Sequence, residues 1–219
     1  MVDKPSNRKL LILPALIVMG LVLAVWQPVE MATVLDWGRR LSSRPELMAL
    51  VVLVMALMFT FALPGSTFLW LIAPFQPPWI ATAMLVLGSV SGAVGAHIMA
   101  GRLGQGWQPT PAAAKVFDLL SRRSDLLTQC ALRILPGFPH SVVNYAGGVL
   151  KLPLPGFVFA ATLGLTIKWA IYSSAVYGAV EAAEQGEAVN AMTLAPLFLL
   201  TVLLLIGAWF KRRVENRQA

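Results

Sequence analysis

Apolar runs of membrane-crossing length alternate along this chain with short polar stretches, and proline and glycine interrupt two of the runs. A helix needs about 20 apolar residues to cross ~30 Å of hydrocarbon. Residues 10–27 form the first such run. Over residues 28–46, Asp36, Arg39, Arg40 and Arg44 interleave with Leu35, Trp37 and Leu41. That spacing predicts a short amphipathic helix at the membrane interface. Residues 79–100, 155–178 and 191–210 predict three further crossings, separated by a polar loop at 102–125 and a short acidic loop at 181–187.

The two interrupted runs follow a different rule. Residues 47–63 are apolar but slightly short for a span, and they end at Pro64-Gly65 before a second short apolar stretch. Residues 126–150 are broken at Pro136-Gly137 and Pro139 and carry Arg133. Proline removes a helix hydrogen-bond donor, and backbone freed at membrane depth is tolerated only against protein or a water-filled cavity. Each segment therefore predicts a re-entrant hairpin, near residues 47–77 and 126–150, with two Pro-kinked spans as the alternative. Each Leu-Pro-Gly break precedes a short apolar return, a Pro-containing link (Pro77-Pro78; Pro153, Pro155) and a full crossing.

Charge orients this scheme. Lysine and arginine concentrate on cytoplasmic loops, which places the basic N-terminus, the 102–123 loop and the basic C-terminus in the cytoplasm. The Glu181/Glu184/Glu187 loop falls outside. Four crossings plus two hairpins meet these conditions; only Arg39, Arg40 and Arg44, placed outside, are discordant. The hairpins then enter from opposite sides, making an inverted repeat, and matching broken segments in two halves point to a transporter's binding site. The resulting fold class is an all-α polytopic protein with both termini cytoplasmic. It has four transmembrane helices, two inverted re-entrant hairpins and one interfacial amphipathic helix, in a single membrane domain over residues 1–219.

Composition supports the bilayer as solvent: 58% of the 219 residues are hydrophobic and 12% charged, against about 25% charged in soluble domains. The net charge of +7 reads as orientation toward anionic headgroups, not as nucleic-acid binding. Trp26-Gln27-Pro28 follows the first apolar run where a signal peptide would show small residues, which predicts an uncleaved helix. Cys130, the one cysteine, has no disulfide partner and reads as a buried apolar residue. No GxSxG, HExxH, CxxC or P-loop is present, and two histidines without acidic neighbours make a poor metal site. Neither an enzyme nor a metal or cofactor is expected.

The run Arg133-Ile134-Leu135-Pro136-Gly137-Phe138-Pro139, followed by Asn144-Tyr145 and Gly148, resembles the DedA superfamily, also called the VTT-domain or SNARE-associated Golgi protein superfamily. Leu63-Pro64-Gly65 and the glycine-striped segment ending Gly101-Arg102-Leu103-Gly104 stand in the expected order, so the likeness covers a core of residues 46–180. It implies an inner-membrane transporter with two facing hairpins. Bacterial members are implicated in returning polyprenyl-phosphate carrier across the membrane, and eukaryotic relatives scramble phospholipids. Where the DedA branch has an acid after the first Pro-Gly and a second arginine in the second hairpin, this chain has Ser66 and Pro139. The match is nearer the Tvp-type vacuolar-membrane-protein branch, and Ser66 supplies no acid for proton coupling.

An arginine at membrane depth costs about 2.5–3.5 kcal/mol even on lenient scales, and its planar fork suits phosphate. Arg133 is thus the leading substrate-binding candidate, against backbone pairing or snorkelling. Asn144, Tyr145, Lys168 and Ser66 are further substrate-contact candidates. Glu46, His97 and His140 are candidates for proton or sodium coupling, with helix packing the competing role for His97. Pro64, Gly65, Pro136, Gly137, Pro139 and Gly148 shape the breaks. The leading function is a flippase or scramblase for a phosphate-bearing lipid. Alternatives are an ion-coupled carrier of a small anion, and a scaffold whose Gly88/Gly92 face assembles homo-oligomers.

Overall fold

The computed structural model describes residues 31–103, 111–135 and 138–185, with short helical stretches between 195 and 207. The expected first crossing, the Pro136-Gly137 break and most of the expected fourth crossing lie outside the described residues. The chain divides into a unit up to Arg40 and a unit from Leu41 onward. In the first, α1 (Met31–Ser42) begins within the expected amphipathic segment, and an exposed Asp36–Arg40 ion pair of 2.8 Å joins successive turns.

All regular secondary structure among the second unit's described residues is helical. It runs through α2 (Pro45–Thr60), a 3-10 turn (Gly65–Phe68), the single turn α3 (Leu69–Ile72) and α4 (Pro78–Leu103). After that come α5 (Pro111–Arg122), α6 (Leu126–Ile134), α7 (His140–Val149) and α8 (Leu154–Gln185). Proline opens α2, α4 and α5, a position where its missing N–H has no helical partner to lose. With 26 and 32 residues, α4 and α8 reach about 39 and 48 Å at ~1.5 Å per residue. Among the described residues these two are long and apolar enough to cross a membrane. Helix α2, with 16 residues, reaches only about 24 Å.

Helix α4 sits at the centre, against α2, α7 and α8, while α6 lies against α8. Small residues make the first of these approaches close. A β-carbon on Gly92 would come within 2.6 Å of the Ala56 carbonyl oxygen, and one on Gly88 within 2.9 Å of Met55 Sδ. The Gly88/Gly92 stripe is therefore filled by α2 of the same chain and is not the open assembly face that the scaffold alternative needs. Met55 and Phe59 of α2, Phe68, Leu69, Ile72, Ala81 and Leu85, and Ala161, Leu165 and Trp169 of α8 form one core. Val116, Leu120, Leu132, Val143 and Ala146 form a second, around α5, α6 and α7.

Two segments depart from expectation. The stretch expected as a polar loop contains α5, whose Ala113, Val116 and Leu120 recur at helical spacing and are buried. Its outer face carries Asp118 and Arg122, 2.9 Å apart. The basic residues and flanking prolines hid an amphipathic helix with a narrow apolar stripe. The acidic segment expected as a loop from residue 181 starts as helix, because α8 continues to Gln185.

Both halves also contain a helix end held by the same device. After α2, Leu63 N–H donates to Met58 O (2.8 Å) with Ala62 at φ 60°; after α7, Leu152 N–H donates to Gly147 O (2.9 Å) with Lys151 at φ 52°. This is the left-handed helix terminus that usually carries glycine. Here alanine and lysine occupy it.

Candidate functional site: a buried cationic cluster at the second break

Helix α6 is short, nine residues, and starts from a capped end. The Asp125 carboxylate accepts from the Thr128 backbone N–H (3.0 Å) and hydroxyl (2.7 Å), satisfying a donor that the first helical turn leaves open. These bonds, the backbone one foremost, hold the Asp125 carboxyl below the usual carboxylate range. One face of α6 then presses on α8. A β-carbon on Gly164 would lie 3.1 Å from both Arg133 Cβ and Cys130 O, and Cys130 Sγ donates to Ala160 O at 3.5 Å.

That approach carries Arg133 into the interior, where it is 1% exposed. Its Nη1 donates to Gln129 O at 3.0 Å, and its guanidinium lies 4.6 Å over the Phe157 ring. The remaining donors, Nε and Nη2, are buried without a hydrogen-bond partner among the described residues, as is Gln129 Oε1 one turn earlier. An unpaired buried donor on a charged group costs ~1–3 kcal/mol or more. Structural stability alone gives no reason to keep this arginine.

A second cation lies nearby. Lys168 of α8 is 8% exposed, its Nζ is 2.6 Å from His140 Nε2 at the start of α7, and it stands 5.3 and 5.5 Å over the Trp169 and Tyr172 rings. Gly164, which packs against Arg133 Cβ, stands one helical turn before Lys168 on α8, and Lys168 meets His140, so α6, α7 and α8 contribute to one cluster. Phe59 meets the His140 ring edge-on at 6.0 Å, and Trp169, whose indole N–H donates to Ser89 Oγ at 3.1 Å, lies 6.4 Å from it. Among the described residues neither Arg133 nor Lys168 forms an ion pair with a carboxylate. Cations held in a low-dielectric interior attract negative charge far more strongly than in water, so this arrangement can accept an anion.

The other residues singled out in the sequence are placed as follows. Asn144, on α7, is buried. Tyr145 donates its hydroxyl to Thr60 O at 3.0 Å, tying α7 to the end of α2. Gly148 lies against the His97 carbonyl, where a side chain would collide with backbone, and Pro139 precedes α7 as its N-cap. His97 Nε2 is 3.0 Å from Leu152 O, a bond that fastens α4 to the turn after α7. Glu46 lies exposed in the first turn of α2, a place that suits a carboxylate because of the helix dipole. Ser66 is exposed in the 3-10 turn, and Gly65 is buried beneath the Phe59 ring. An open groove of about 470 Å³ lies between α2 and α4, lined by Met48, Val52, Met84 and Leu87 among others, none of which belongs to the cationic cluster. No cluster of potential metal ligands occurs among the described residues. Sequence reasoning passed over Gln129 and Phe157; the spacing of Gln129 four residues before Arg133 was the available signal, whereas Phe157 becomes relevant only through packing.

The VTT domain profile matches residues 49–178. The chain is similar to transmembrane protein 41B of Gallus gallus, 27% identical over 167 residues, covering 72% of this chain and 61% of that one. It is also similar to the transmembrane protein 41 homolog of Caenorhabditis elegans, 30% identical over 121 residues, covering 52% and 49%. Transmembrane protein 41B of Homo sapiens is 27% identical over 167 residues, covering 72% and 56%. The chain thus spans about half to three-fifths of the length of these relatives. No solved structure matches it.

Proposed function

The chain belongs to the VTT domain (DedA) superfamily of multi-pass membrane proteins, and from that premise we propose that it transports a phosphate-bearing lipid between leaflets. The observation that carries this reading is Arg133: a buried guanidinium with two unpartnered nitrogens beside a second buried cation. A fork of that kind fits a phosphate group, which offers acceptor oxygens in matching geometry. The apolar, outward-facing sides of α2, α4 and α8 would accommodate the acyl or prenyl chains while the headgroup passes through the protein.

In this reading the two broken segments are re-entrant hairpins that enter from opposite sides, and α4 and α8 are the crossings that follow them. The crossings expected at residues 10–27 and 191–210 complete four, with both termini cytoplasmic in the inner membrane. The protein acts as a transporter and not as an enzyme, with lipid as its partner. Reconstituted liposomes carrying a fluorescent phosphatidylglycerol or a polyprenyl phosphate test it. Wild-type protein should move one of them between leaflets and Arg133→Ala should reduce this at least tenfold. Movement of neither lipid by the wild type, with or without an imposed proton gradient, would sink the reading.

A further inference from the structure

The contact between Lys168 and His140 requires explanation of its own. Two basic nitrogens 2.6 Å apart can hydrogen-bond only if one of them offers a lone pair, so at least one member of the pair is uncharged in this structure. The groups facing the pair explain why a second proton is excluded. Arg133 comes in from α6 against Gly164, one turn before Lys168, and the Tyr172 and Trp169 rings flank Lys168 on α8. Phe59 closes the side toward α2. None of these brings negative charge, and three full cations in one buried cluster would repel one another.

An anion reverses that balance. We propose that His140 and Lys168 form a proton-exchanging pair, which takes up one proton when an anion occupies the Arg133 site and releases it when the anion leaves. The inference rests on the anion-binding reading of Arg133 and adds to it how binding is coupled to pH. The proton is transferred from hydronium in the solvent: one of its O–H bonds breaks as an N–H bond forms on the free lone pair, water is left behind, and no other bond changes. Once both nitrogens carry hydrogens on every lone pair, their mutual hydrogen bond is lost. Lys168 Nζ and His140 Nε2 can then donate to the anion together with Arg133 Nε and Nη2. The pair thus changes from a self-satisfied contact into two further donors only when negative charge arrives.

Calorimetric titration of the full chain with dihexanoyl phosphatidylglycerol, in two buffers of different protonation enthalpy, counts the protons taken up. This phosphodiester does not titrate near neutral pH, so any proton belongs to the protein. Wild type should take up about one proton per lipid bound, with affinity falling up to tenfold per unit as pH rises between about 6 and 8.5. In His140→Gln, whose amide oxygen still accepts from Lys168, residual binding should proceed without proton uptake. Uptake that persists in His140→Gln, or wild-type binding without uptake across that range, overturns the coupling. If Arg133→Ala abolishes wild-type binding in that second case, the anion site survives and only the coupling falls. Absence of any binding by the wild type overturns both. The wild-type proton count needs no variant, so a misfolded His140→Gln leaves the test intact.

Discussion

The two broken halves share a frame and differ in chemistry at matching positions. Counted from the proline of each Leu-Pro-Gly, Phe61 and Arg133 stand three residues before, and Phe68 and His140 four after. Counted from the first residue of the following long helix, Gly88 and Gly164 stand ten residues along, and Gly92 and Lys168 fourteen. The glycines at the tenth position serve the same purpose in both halves, receiving α2 and α6 respectively. The other three positions diverge. The first half has Phe61, Phe68 and Gly92; the second has Arg133, His140 and Lys168. Phe68 and Phe59, which packs on Gly92, belong to the apolar core, while in the second half two arginine nitrogens have no partner among the described residues. Under the proposed function, two segments of the same Leu-Pro-Gly pattern divide their work, the first carrying no buried charge at these positions and the second supplying the anion contact.

The strongest way to break the comparison is through the frame of the first half. Gly92→Leu puts atoms where Phe59 and the Ala56 carbonyl already sit and should cost about 3 kcal/mol, at the upper end of overpacking effects. Loss of a monodisperse folded species on size-exclusion chromatography is the expected readout. In the second half the sign should invert. Arg133→Met removes a buried, incompletely satisfied charge, and replacing such groups by apolar ones of similar volume is often stabilising by about 1–4 kcal/mol. The variant should melt at higher temperature in detergent while lipid translocation falls to background. A melting temperature lowered by this change would mean that Arg133 is structural.

Smaller changes sharpen the link between the halves. Tyr145→Phe deletes the hydrogen bond to Thr60 O, and should cost about 1 kcal/mol; lipid translocation should persist if that bond only fastens α7 to α2. The least effect is expected at Asp125. Its carboxyl is held below the ordinary range by the bonds from Thr128, so its contribution is present above the unfolded value near 3.9. It is lost as pH falls through the lower folded value. Asp125→Asn should flatten that acid limb of the stability profile and change little at neutral pH; an unaltered acid limb would rule out the capping role.

Much of this was legible in the chain itself. Hydrophobic run length marked α4 and α8, because a helix that crosses a bilayer must be apolar over a length set by the membrane. Pro64-Gly65 marked the end of α2, since proline cannot continue a helix hydrogen-bond ladder. Arg133 stood out because a charge amid apolar residues is expensive wherever it is placed. Helix α5 was not legible: its stripe of Ala113, Val116 and Leu120 is too narrow to outweigh the surrounding prolines and charges.

What only the tertiary structure decided is which polar residues meet. Lys168 and His140 are 28 residues apart and on different helices, and nothing in local pattern pairs them. His97 and Glu46 look equally available in the sequence, yet the fold assigns one to a backbone carbonyl and the other to an exposed helix start. Periodicity and composition are properties of single segments and can be read one segment at a time. The cationic cluster at the second break depends on the close approach of α6 to Gly164, a contact between segments that exists only after folding.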